Sequence, residues 1–170
     1  AMVVIEGALL KAGVGKADGT FLLSEQYILD CEGSNGGCNG DDHSSVFNMA
    51  QDKGLPLASE YGPYQARENR CKDTSGMKFH SIKGWGYCTP NVNGPAKTQD
   101  IKDAMVMYGP ISVAIAADNR FGNVKPGEVF IGKNNGINHE VILVGWDDAK
   151  GLLVDGIAFE GCTQTEANPS

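Results

Sequence analysis

Apolar positions recur at helical spacing through the first half of the chain and gather into short runs through the second. Met2, Val3, Ile5, Ala8, Leu9 and Leu10 predict a helix over residues 1–11. It is apolar on almost every side, so it is expected to be buried, and Gly13 and Gly15 are placed to end it. No capping residue stands at its start, which is what a cut through the first turns of a helix would leave. Ser24 can cap a short helix from Glu25 to Cys31, ahead of a glycine-rich loop from Glu32 to Asp41. Val46, Met49 and Ala50 predict a helix from Asp42 to Lys53, with Gly54 as its stop. Pro56, Gly62 and Pro63 punctuate a loop, and Lys78 to Tyr87 reads as a strand. Ile101, Ala104, Met105 and Tyr108 repeat at i, i+3, i+4, i+7 behind Thr98 as the expected cap, and Gly109-Pro110 close that helix.

Beyond Pro110 the period shortens. Ile111 to Ala117, Glu128 to Ile131, His139 to Trp146 and Leu152 to Ala158 predict strands, divided by turns at 133–136 and 147–151. Helices first and strands afterwards argue for an α+β fold in two lobes. The expected division is residues 1–84, helical and beginning with the central helix, and residues 85–170, rich in β-structure.

Composition narrows the function classes. The net charge is −7 with no Lys/Arg cluster, which argues against nucleic acid or an anionic membrane surface as partner. No apolar run is long enough to cross a bilayer. The five cysteines, Cys31, Cys38, Cys71, Cys88 and Cys162, form neither zinc-type pairs nor a redox CxxC. Disulfides in an oxidising compartment are the better reading, and an odd count leaves at least one thiol without a partner in the chain.

Candidate chemistry sits in two distant segments. One runs from Leu23 through Cys31 and on to Gly37-Cys38-Asn39-Gly40. The other is Gly109-Pro110-Ile111-Ser112-Val113-Ala114-Ile115, followed by Asn138-His139-Glu140 and on to Gly145-Trp146. In this order they resemble the papain family of cysteine peptidases. The resemblance implies a helical left lobe and an antiparallel, barrel-like right lobe, here incomplete at both ends. It implies a thiol endopeptidase that needs no cofactor or metal, works as a monomer on peptide or protein substrates, and resides in a secreted, lysosomal or other oxidising setting. His139 takes the place of the general base and acid. The matching nucleophilic cysteine is expected about five residues before Ala1, which puts His139 about 140–145 residues after it, within the family's spacing. A thiolate there would gain from a helix N-terminus and from a facing imidazolium.

Other roles follow from the same resemblance. Gly37 and Gly40 match the loop whose backbone pairs with an extended peptide, and Asp41 stands where a further glycine is usual. Asp42, Ala114, Asn138 and Glu140 match the subsite for the second residue before the scissile bond. Glu140 would favour a basic substrate side chain or act on His139 if it faces that pocket; bent to solvent, it would do neither. Cys31 and Cys71 match a family disulfide, Cys38 a half-cystine whose partner precedes the nucleophile, and Cys88 and Cys162 have no assigned counterpart. The orienting asparagine of an Asn-Ser-Trp motif has no match, and the resemblance fades after about Gly151. Residues 1–170 alone are therefore expected to be inactive. A peptide-binding pseudopeptidase is the alternative. Carboxylate pairs at Asp41-Asp42 and Asp147-Asp148 are weaker, because neighbouring carboxylates usually point apart, and a metal site at Asp41, Asp42 and His43 is weaker because His43 reads as a first-turn helix residue and no further spaced ligands appear.

Overall fold

The computed structural model describes residues 1–33, 36–90, 96–125, 128–132 and 136–149, with Lys150 and residues 160–167 described for their backbone alone. The chain forms two compact units, one of Ala1–Trp85 with the residues from Thr165 on, the other of Gly86–Gln164.

In the first unit, α1 spans Met2–Lys11 and buries one stripe, Val4, Ile5, Ala8 and Leu9. Coverage is less complete than the sequence suggests, since Val3 is 55% exposed. α2 is Glu25–Cys31, and the Ser24 hydroxyl accepts the Tyr27 N–H at 3.0 Å, as its capping role requires. α3 is His43–Asp52, with Val46, Phe47, Met49 and Ala50 on its buried face. Trp85 stacks on Phe47 with centroids 5.5 Å apart, and its indole N–H donates to Asn48 at 2.9 Å.

Two short elements interrupt what reads as a loop. Leu55–Pro56 (β1) pairs antiparallel with Phe79–His80 (β2), and Ala58–Tyr61 forms α4. They exist because nearby backbone finds partners there: the Ser24 N–H donates to Pro56 O at 2.9 Å and the Ala58 N–H to Leu22 O at 2.8 Å. The single strand expected from Lys78 to Tyr87 is thus two strands, β2 and Ile82–Tyr87 (β3), which join different sheets.

Residues 62–72 contain no regular element and are held by side chains of α2. The buried Gln26 accepts the Gln65 N–H at 2.8 Å and donates to Arg67 O at 2.8 Å and to Asp30 at 2.6 Å. Asp30 also receives the Asn69 N–H at 2.9 Å and the Tyr61 hydroxyl at 2.9 Å. Burial pushes the Asp30 pKa up, but these hydrogen bonds outweigh it and hold the carboxyl below its usual range. A Cys31–Cys71 disulfide closes the same loop. It marks an oxidising compartment.

In the second unit, α5 is Thr98–Tyr108 and packs Ile101 and Met105 against Ile111, Val113 and Ile115 of β4 (Ile111–Ile115). Thr98 is the first helical residue, not the cap; Lys97 holds the cap position with no side-chain bond. β4 pairs antiparallel with β5 (His139–Leu143) from Ile111↔Leu143 to Ile115↔His139. On its other side β4 meets β6 (Glu160–Ala167), with an irregularity between Val113 and Ala114. The larger sheet has the order β3-β6-β4-β5.

The sequence predicts no element beyond Ala158, yet eight residues from Glu160 form a strand, because the β4 edge supplies backbone partners that the local sequence does not reveal. Glu128 to Ile131 are not a strand. Their backbone finds partners outside any sheet: the Glu128 N–H donates to Lys125 O at 2.9 Å and Ile131 O accepts from the Arg120 side chain at 3.3 Å. β5 is also shorter than expected, and Val144, past its end, is 77% exposed. The strand predicted over residues 152–158 lies outside the described residues.

Candidate active site

The predicted site residues fall into two groups, each local to one unit. In the second unit, His139 opens β5 and is exposed. Its position follows from strand alternation, which puts His139, Val141 and Leu143 on one face of β5. Val141 and Leu143 pack against the core cluster that contains Ile111, Val113 and Ile115 of β4. His139 is the end member of this row and emerges where the row leaves the core. Its imidazole meets the Phe121 ring edge-on, with centroids 5.7 Å apart at 67°. Phe121 meets Phe130 in the same manner at 5.1 Å.

Asn138, just ahead of the strand, extends the ladder with its side chain. Its amide accepts the Ala117 N–H at 2.8 Å and donates to Ala117 O at 2.9 Å, while its own N–H donates to Ile115 O at 3.1 Å. Glu140 lies directly across from the buried Ala114. Alternation sends Glu140 and His139 to opposite faces of the sheet, so Glu140 is grouped with Ala114 rather than with the imidazole.

In the first unit, Gly37–Asn39 form a single 3-10 turn followed by Gly40. Gly37 has φ 56° and Gly40 φ 102°, conformations that favour glycine. A Cβ on Gly37 would also meet the Glu68 carboxylate. Asp42 caps α3 by accepting the Ser44 N–H at 2.7 Å, and its pKa is lowered, the Ser44 bonds overcoming the rise from burial. Asp41 accepts the Asp42 N–H at 2.7 Å and the Ser45 hydroxyl. The two carboxylates therefore serve the start of a helix. Asp147 and Asp148 are likewise occupied, Asp147 by the Ala149 N–H at 3.0 Å and Asp148 by Lys102.

Of the cysteines, Cys31, Cys71 and Cys88 are disulfide-bonded, and Cys38 is a free, exposed thiol in the 3-10 turn. The Cys162 side chain lies outside the described residues. Sequence reasoning missed Phe121. Its only signal was a lone aromatic residue in the polar stretch Asp118-Asn119-Arg120-Phe121-Gly122-Asn123.

Comparison with known proteins agrees with this architecture. The sequence model described as "Papain family cysteine protease" matches residues 1–156. The viral cathepsin of Autographa californica nuclear polyhedrosis virus is 34% identical over 126 residues, 73% of this chain and 36% of that protein. The gamete and mating-type specific protein A of Dictyostelium discoideum is 32% identical over 143 residues, 83% of this chain and 30% of that protein. The chain thus spans about a third of the length of these relatives. Among solved structures, the Carica candamarcensis cysteine protease CMS1MS2 in complex with E-64 has a TM-score of 0.67 at 22% identity, covering 97% of this chain and 87% of that one. Digestive procathepsin L 3 of Tenebrio molitor has a TM-score of 0.71 at 23% identity, covering 96% and 60%. The structural likeness establishes the α+β papain-like fold, and the family match, which covers both the Gly37–Gly40 turn and His139, shows that the chain belongs to the papain family of cysteine proteases.

Proposed function

We propose that the protein containing this chain is a thiol-dependent endopeptidase that hydrolyses peptide bonds, with His139 as general base and acid. The observation that carries the reading is an exposed imidazole at the head of β5, held by an aromatic edge and by the Asn138 clamp, in a chain of this family. His139 takes the proton of a cysteine thiol, the thiolate attacks the peptide carbonyl, and the imidazolium returns the proton to the leaving amine. Water then hydrolyses the thioester. The resemblance matches none of the five cysteines of residues 1–170 to the nucleophile.

The Gly37–Gly40 turn offers exposed backbone for pairing with an extended peptide. Ala114 and Glu140, paired across β4 and β5, are assigned with Asn138 to the subsite for the second residue before the scissile bond, where Glu140 selects a basic side chain. In the first unit the Asp42 carboxylate is engaged by Ser44 at the start of α3. Residues 1–84 and 85–170 act as the two lobes, and the compartment is secreted or lysosomal.

The test is hydrolysis of fluorogenic peptide amides by the gene product that contains residues 1–170. His139→Ala is expected to lower kcat/KM by a factor of about 10²–10⁴, the usual contribution of a positioned acid–base group. An epoxide probe for thiolate nucleophiles should label the native protein and not the denatured one. Equal rates in both variants, or no labelling, would overturn the assignment.

A further inference from the structure

We propose that Phe121 is a positioning residue for His139, fixing the imidazole at the head of β5 by an edge-on contact from a loop that is itself anchored; its catalytic consequence rests on the peptidase reading above. Strand geometry fixes only the backbone of His139, because the residue is the last paired position of β5 and its side chain is exposed. The remaining freedom is rotation of the side chain. Phe121 limits that rotation, standing 5.7 Å from the imidazole centroid.

The support is itself braced. Phe121 begins a 3-10 turn and packs on the core cluster of α5 and β4. Phe130 backs it edge-on. The Arg120 guanidinium grips Asp118 through Nε at 3.0 and 3.1 Å and through Nη2 at 2.5 Å, and reaches Ile131 O at 3.3 Å. The two flanks of the loop are thereby tied together. Asn138 fixes the residue before His139 to Ala117, so the imidazole is constrained from its own strand and from the facing loop.

The experiment has two arms. The first follows the His139 imidazole Cε1–H resonance in residues 1–170, assigned by its loss in His139→Gln. Phe121→Leu, which keeps an apolar side chain on the core, should displace that resonance and leave those of His43 and His80 in place. Phe121→Tyr should restore it. The second arm measures peptide hydrolysis by the gene product. Phe121→Leu should lower kcat about 2- to 10-fold, the range one edge-to-face aromatic pair supplies, with KM within about 2-fold. Phe121→Tyr should recover most of the rate. If Phe121→Leu unfolds the chain, Phe130→Leu, which removes only the backing ring, should give the same displacement in weaker form. An unmoved His139 resonance overturns the inference. A displaced resonance in a protein with no hydrolysis overturns the peptidase reading and leaves the contact standing.

Discussion

Removing the Cys31–Cys71 disulfide should destabilise the first unit without dismantling it. The bridge closes a span of 40 residues. In the chain-entropy treatment such a loop removes about 13 cal/mol/K from the unfolded ensemble, or about 4 kcal/mol at 25 °C. The loop's native course does not depend on the bridge alone, because Gln26 and Asp30 bind the backbone of Gln65, Arg67 and Asn69. The Cys31→Ala/Cys71→Ala variant should therefore keep its fold and lose about 2–4 kcal/mol. Urea denaturation followed by Trp85 fluorescence, in a Trp146→Phe background, reports this unit, since Trp85 stacks on Phe47 within it. With a slope of about 2 kcal/mol/M the midpoint should fall by about 1–2 M. A shift below about 0.3 M would refute the reasoning, as it would mean that the unfolded chain gains little freedom when the bridge is cut.

Two pH-dependences follow from named groups. Asp30 has a folded pKa below its ordinary value, so its contribution is present above about pH 3.9 and is lost as pH falls through the lower folded value; Asp30→Asn should flatten acid unfolding in that window, measured by circular dichroism. His80 is buried against Phe21 at 5.1 Å, and burial, aided by Lys78 and opposed by Glu60, lowers its pKa. Its stabilising effect is therefore present above about pH 6.5 and is lost as pH falls through the folded value, with a limiting slope of about 1.4 kcal/mol per pH unit. His80→Phe should remove that slope in urea titrations between about pH 7 and 5, and an unchanged slope would exclude His80 as its source.

Local chemistry made much of the chain legible. Ser24 caps α2 as its hydroxyl predicts, Ile101, Ala104 and Met105 define the buried face of α5, and His139 begins its strand. The misreadings share a cause. β1 and β6 exist because distant backbone offers hydrogen-bond partners, and in the failed strand from Glu128 to Ile131 the Glu128 N–H and the Ile131 carbonyl bond outside any sheet. Propensity cannot register a partner far away in sequence.

Residue order alone was enough to reach the family and the α+β fold, and it singled out one imidazole, His139, as the candidate to test. What surrounds that imidazole came from the folded chain. Whether Glu140 shares its face, whether Asn138 spends its amide on Ala117, and which loop residue touches the ring are matters of register and loop path. A shift of one residue in pairing would exchange the two faces of β5, and a residue's type carries no record of that choice.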